Sequence, residues 1–356
     1  MRIRYRIDGN LVDAFRLPKQ SQNSILTRLK IICGLDITES RLPQDGRFRI
    51  RYSGREIDFR VSILPISFGG KMVMRILDRA SLRMELTGLG FSPEPLIKLG
   101  EAIKKPYGMI LITGPTGSGK STTLYSILQR LNVPERNITT IEDPVEYQIN
   151  GIAQIQANAE IGLTFAAGLR AVLRQSPDII MVGEIRDFET ADIAVKASLT
   201  GHLLFSTLHT NDAPSAVNRL IDMGVEPYLI ASSVLLVGAQ RLCRRICPNC
   251  KEKVTVPSSV LKELNFRFEG EPHFYKGKGC RKCAQTGFHG RMGILEVLEV
   301  DDEVRDLILK RVPTSKIEDY GLKHGMVALR DDALKKWAQG LTTLEEVFHI
   351  TVEEKA

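Results

Sequence analysis

The sequence has a single tryptophan among 356 residues, and aromatic residues make up only 6% of it. So few aromatics argue against the extended stacking platform that holds single-stranded nucleic acid. No apolar run reaches the roughly 18–20 residues that a membrane-spanning helix needs; the best candidate runs from Tyr228 to Ala239. The opening Met1-Arg2-Ile3-Arg4-Tyr5-Arg6 has no apolar centre of an export signal. The expected location is therefore cytoplasmic, with any membrane association made through a partner. Sequence repeats and low-complexity tracts are also lacking.

What is present is ordinary for a globular chain, with 43% hydrophobic and 26% charged residues. The length suits two or three domains. The net charge of +7 is uneven, because residues 1–85 hold 17 Lys/Arg against 9 Asp/Glu. A basic segment of this kind can meet nucleic acid, anionic lipid, an acidic protein surface or nucleotide phosphates. Six cysteines occur, four of them in two C-x-x-C pairs, which without an export signal favours metal binding over disulfides.

Residues 1–80 alternate apolar and polar positions, as in Arg2 to Ile7 and Phe48 to Tyr52, and the period of two predicts half-buried strands. Asp8-Gly9-Asn10 and Asp45-Gly46 supply turns, and Ser24 to Gly34 has helical spacing. The segment reads as a small α/β domain, truncated at its start because it opens directly with a strand. Residues 81–100 read as a linker. From 101 to 242 short apolar runs (Met109–Ile112, Ile138–Ile141, Ile179–Val182, Leu203–Phe205) alternate with amphipathic stretches. That pattern predicts a parallel sheet covered on both faces. Residues 243–290 form a cysteine-rich element, and 291–356 a C-terminal helical region.

Gly114-Pro115-Thr116-Gly117-Ser118-Gly119-Lys120-Ser121 matches G-x-x-x-x-G-K-[ST] in full, after an expected strand and before a helical stretch from Thr122 to Leu131. Glycines let backbone N–H groups turn toward a phosphate, and the helix N-terminus adds its positive dipole end. Lys120 is expected to reach the β- and γ-phosphates and Ser121 to place its hydroxyl on Mg²⁺, with Thr122 completing the cradle. No Asn-Lys dipeptide occurs, so the guanine-reading motif of GTPases is absent and ATP is the expected nucleotide.

Two strand ends carry acids. Ile179 to Val182 leads to Gly183-Glu184, and Ile138 to Ile141 leads to Glu142-Asp143. Carboxyl ends of parallel strands gather around the ligand in such folds. Either glutamate could orient the attacking water while the other serves the metal. His202 and His209 flank a further apolar strand, and the second lies where a γ-phosphate sensor would sit. A histidine so placed is as readily structural.

Together these segments resemble the secretion ATPase superfamily of type II secretion and type IV pilus machines. Thr140-Ile141-Glu142-Asp143-Pro144-Val145-Glu146-Tyr147 looks like its Asp box, Leu173 through Asp187 like its Walker B segment, and Thr200 through Asn211 like its His box. The resemblance implies a RecA-like P-loop ATPase domain behind an N-terminal PAS-like α/β domain, assembled as a homo-hexamer that works on an inner-membrane platform protein at the cytoplasmic face. It also implies Glu142 as the residue activating water, Glu184 as an aid in holding Mg²⁺, and His209 as the γ-phosphate sensor. Arg41 to Arg47 and Asp58 to Ser62 are similar to N-terminal signatures of the family, which makes Arg47 and Arg60 arginine fingers. The bland alternative is a set of exposed sheet arginines.

Cys247-Pro248-Asn249-Cys250 and Cys280-Arg281-Lys282-Cys283 are two knuckles whose four thiolates suit tetrahedral Zn²⁺ in a closed, structural site. Retraction members of the family generally lack this element, so its presence points to filament assembly, in either type II secretion or type IV pilus biogenesis. The competing reading is a RecA-like nucleic-acid-dependent motor, which the low aromatic content of 6% argues against. A nucleotide-gated scaffold without turnover would need a missing catalytic carboxylate, and none is missing.

Overall fold

The computed structural model describes residues 1–78, 85–264 and 270–351. Parts of the expected linker (81–84), of the cysteine element (265–269) and of the C-terminal region (352–356) lie outside the described residues. The chain divides into two units, Met1–Arg83 and Met84–Ala356.

In the first unit β1 (Arg2–Ile7) and β2 (Asn10–Arg16) form an antiparallel hairpin around the Asp8-Gly9 turn, where both residues have positive φ. Helix α1 (Ser21–Cys33) ends at Gly34 in the left-handed conformation. An antiparallel meander follows: β3 (Gln44–Tyr52), β4 (Arg55–Ile66) and β5 (Gly69–Asp78). One face of the meander carries Val61 and Ile63, both buried, and the stacked rings of Phe48 and Phe59. The helix lies against this face, for a Cβ on Gly70 would meet Leu26 at 3.0 Å. The hairpin and the meander are separate sheets among the described residues. The unit is thus a small α/β fold.

The second unit opens with a 3-10 turn (Leu86–Leu89) and α2 (Pro93–Ala102), which begin inside the stretch expected as a linker and run two residues past it. Leu86, Leu89, Phe91 and Leu99 are buried against Leu124, Ile127 and Leu128, so residues 86–99 belong to the core rather than to connecting chain. The elements then run β6 (Gly108–Thr113), α3 (Lys120–Leu131), β7 (Ile138–Glu142), β8 (Ala153–Gln156), α4 (Phe165–Val172), β9 (Ile179–Val182), α5 (Phe188–Leu199), β10 (Leu203–Leu208), α6 (Ala213–Asp222), α7 (Pro227–Ser233) and β11 (Val234–Ile246). After β12 (Lys251–Lys253), α8 (Ser258–Glu263) and β13 (Tyr275–Gly277) come β14 (Phe288–Glu299), α9 (Asp302–Leu309), α10 (Thr314–Lys323), α11 (Leu329–Ala338) and α12 (Leu344–Thr351).

Seven strands form one sheet in the order β14-β11-β6-β10-β9-β7-β8, parallel except for β14, which pairs antiparallel with β11. Two differences from the expected parallel sheet follow. The edge is mixed, and the first residues of the expected C-terminal helical region are strand. Both faces are covered: on β6, Met109 and Leu111 join one core cluster while Ile110 and Ile112 join the other. A strand buried on both faces must be apolar without alternation, which is why β6 reads as a continuous run. No helix among the described residues is long and apolar enough to cross a membrane; the Tyr228–Ala239 run is divided between α7 and β11.

Candidate active site

The segment 114–119 is a loop between β6 and α3 at the carboxyl edge of the sheet. Gly114, Gly117 and Gly119 have φ of 144°, 83° and 92°, which L side chains rarely adopt. A Cβ on Gly114 would also fall 2.5 Å from the Gln240 carbonyl oxygen. Lys120 Nζ donates to the carbonyls of Gly114 at 2.6 Å and Pro115 at 3.1 Å, curling over the loop. Burial lowers the Lys120 pKa below its ordinary value; the Glu184 charge opposes that shift and Arg241 adds to it. Ser118 Oγ is buried without a hydrogen-bond partner among the described residues. An orphaned hydroxyl inside a glycine cradle, beside a lysine and a helix N-terminus, fits a phosphate.

The His-box segment is fastened beside this loop. Thr113 Oγ1 donates to the Leu208 carbonyl at 3.1 Å and accepts from the Thr210 amide at 2.8 Å. Thr207 Oγ1 donates to the Gly183 carbonyl at 2.7 Å, so the ends of β6, β10 and β9 are tied in sequence. That places His209 Nε2 3.2 Å from Glu184 Oε2, while Arg186 pairs with the other Glu184 oxygen. Lys120, Glu184 and His209 are thereby brought together. His202 is at the opposite end of β10, with Nδ1 2.9 Å from the Ala197 carbonyl at the close of α5. It secures a strand–helix junction.

Glu142 has different surroundings from those expected of a water-activating group. It is 4% exposed. Tyr125 OH donates to Oε2, while Thr140 Oγ1 at 2.6 Å and Gln154 Nε2 at 3.1 Å donate to Oε1. Burial, reinforced by the Glu142 charge, pushes the Tyr125 hydroxyl well above its ordinary value and keeps it a donor. Gln154 also bridges the Tyr147 carbonyl and the Ile149 amide. Glu142 is the hub that joins α3 to the 143–150 loop, and both its oxygens are engaged inside the protein.

In the first unit Arg47, Arg60 and Arg75 are directly opposite one another on β3, β4 and β5. Cross-strand partners share a face, so the three form one row on the side away from α1. Arg75 joins the row through strand register alone, which local spacing in the sequence does not show.

The four knuckle sulfurs lie within 4.8 Å of one another. Cys247–Cys280 and Cys250–Cys283 are 3.9 Å apart and Cys280–Cys283 3.7 Å. Tetrahedral zinc with Zn–S near 2.3 Å requires sulfurs about 3.8 Å apart. Burial alone would raise the Cys283 thiol, but backbone N–H groups of Cys280 and Gly287 point at its sulfur and take it down to about 6. The residues fit the ion.

Comparison with known proteins gives a consistent result. The sequence model of the family described as Type II/IV secretion system protein matches residues 1–349. The type IV pilus assembly ATPase PilB of Myxococcus xanthus is 49% identical over 99% of this chain, which spans 63% of that protein. The PilB of Thermus thermophilus is 51% identical over 99% of the chain, covering 40% of the relative. The type II secretion system ATPase E of Vibrio cholerae is 49% identical, again over 99% of the chain and 70% of the relative. The chain therefore spans between two fifths and seven tenths of these relatives. Among solved structures, the pilus retraction motor PilT with bound ADP superposes with a TM-score of 0.63 at 26% identity, over 99% of this chain and 91% of that one.

Proposed function

Because the chain belongs to the type II/IV secretion system protein family, we propose that it is an ATP-hydrolysing motor that powers pilin or pseudopilin assembly. The observation that carries the reading is the glycine loop between β6 and α3, with Lys120 folded over it and Ser118 Oγ left without a partner. Backbone N–H groups at the start of α3 and the Lys120 ammonium would hold the triphosphate, and the Ser121 hydroxyl would reach Mg²⁺. Bound Mg²⁺ supplies neutralisation of phosphate charge. Residues 114–122 line the nucleotide in this reading.

Glu184 is the carboxylate left to work at the metal and the attacking water, since Glu142 is engaged by three donors. His209, 3.2 Å from it, would sense the γ-phosphate. Arg47 and Arg60, with Arg75 in the same row, would supply positive charge to the phosphates as arginine fingers. The partners are further copies of the chain in a homo-hexamer and an inner-membrane platform protein, at the cytoplasmic face. A PAS-like assignment of the first unit belongs to the same reading.

The four cysteines would hold Zn²⁺ in a closed structural site, and metal analysis finding none in the purified chain would contradict this. Together with 49–51% identity to assembly and secretion ATPases against 26% to a retraction motor, the cysteine element supports the assembly direction. The direct test of the site is steady-state ATP hydrolysis. Lys120→Ala is expected to abolish turnover, and retained turnover would mean that the chemistry lies elsewhere.

A further inference from the structure

We infer that Gln240 is the clamp that keeps the phosphate loop in its binding shape, a positioning residue that acts on the nucleotide through the loop. The inference rests on the reading of 114–121 as the nucleotide site. Gln240 sits on β11, is 2% exposed, and pairs with Leu295 of β14. Its neighbour Ala239 pairs with Thr113, the last residue before the loop. The amide group spans the loop and the helix that follows it. Nε2 donates to the Ser118 carbonyl at 2.9 Å, and Oε1 accepts from Thr123 Oγ1 at 2.8 Å. Only one orientation of the amide serves both, because the Ser118 carbonyl can only accept.

The consequence follows from peptide geometry. In a trans peptide the carbonyl and the next N–H point in opposite directions. Holding the Ser118 carbonyl against Gln240 turns the Gly119 N–H away from it, toward the hollow that the helix N-terminus opens on. The glycines are what allow this close seat. A Cβ on Gly119 would fall 2.8 Å from Gln240 Nε2, and one on Gly114 would fall 2.5 Å from the Gln240 carbonyl oxygen. Two of the three loop glycines with positive φ are therefore packed on one residue 120 positions or more away in the chain. The sheet holds Gln240 rigid, and Gln240 holds the loop.

The test is ADP affinity by calorimetry in the wild-type chain, Gln240→Glu and Gln240→Met, with the thermal midpoint of each measured without nucleotide. Gln240→Glu keeps the acceptor for Thr123 and replaces the donor by a repelling oxygen. Gln240→Met keeps the approximate volume and removes both bonds. The expected result is an ADP Kd raised at least about tenfold in both, measured well below the lower midpoint, beside a fall of several degrees in the nucleotide-free midpoints from the buried groups left unpaired. Unchanged ADP affinity in either folded variant overturns the inference. So does an equal loss of ADP affinity in Ile308→Ala, a core variant on α9 destabilised without touching the loop, which would make Gln240 an ordinary core contact. A wild-type chain that binds no ADP refutes the site reading itself, which separates the two failures.

Discussion

Glu142 and Glu184 end neighbouring strands of one sheet, and their substitutions are expected to report different things. Removing the Glu142 carboxylate leaves the Tyr125 hydroxyl, the Thr140 hydroxyl and the Gln154 amide without their acceptor in a buried place. Each unsatisfied group costs about 1–3 kcal/mol. Glu142→Ala should therefore lower the thermal midpoint, and any loss of turnover should follow the loss of fold. Glu184 faces the loop with His209 and Arg186 as its partners. Glu184→Gln should reduce ATP turnover by at least about 100-fold, the range for a lost general base, with ADP still bound and the midpoint unchanged. Parallel melting and turnover assays distinguish the two. A Glu142→Ala protein that melts like wild type yet has lost hydrolysis would return the catalytic role to Glu142.

At the level of elements, the end of the sheet opposite β8 carries a buried carboxylate with a measurable consequence. Glu296 on β14 is 5% exposed and accepts from the amides of Ala213 at 2.8 Å and Leu329 at 3.2 Å, the first residues of α6 and α11. Burial pushes it up to about 7, against the pull of those two amides. Between about 4.5, its ordinary value, and about 7 the folded chain binds more protons than the unfolded one, so stability falls as pH rises through that window. The full effect is on the order of 3 kcal/mol. Thermal midpoints of wild type and Glu296→Gln between pH 5 and 8 should show wild type losing ground to the variant as pH rises. A pH-independent difference would contradict the assignment.

Elements were legible in the sequence where their cause is local. The strand–loop–helix around 114–121 shows itself through glycine spacing and an apolar run, and the two knuckles through cysteine spacing. What could not be read depends on pairing across the chain. The antiparallel edge strand β14, the alignment of Arg75 with Arg47 and Arg60, and the seat of Gln240 under the loop all come from register. The three donors around Glu142 come from α3, β7 and β8, so a glutamate at a strand end gave no sign of its saturation. Leu86, Leu89 and Phe91 are too widely spaced among polar and glycine residues to announce a buried segment, yet the core takes them.

For the whole molecule, the two units carry complementary chemistry. The first holds a row of arginines on a strongly basic segment, and the second holds the glycine cradle, the Glu184–His209 pair and the cysteine cluster. Strand β11 links two of these features, since Gln240 under the loop and Cys247 in the cluster are seven positions apart on and just beyond it. The proposed function makes ATP hydrolysis at the glycine cradle the source of the work that assembles a filament. The most direct measurement of that claim is made in a strain deleted for the gene and complemented with the wild-type or the Lys120→Ala allele. Surface pili are counted by electron microscopy and secreted enzyme activity is assayed alongside. The account predicts that the deletion removes pili or secretion, that the wild-type allele restores it, and that the Lys120→Ala allele does not. Pili and secretion both intact in the deleted strain, or restored by Lys120→Ala, would contradict it.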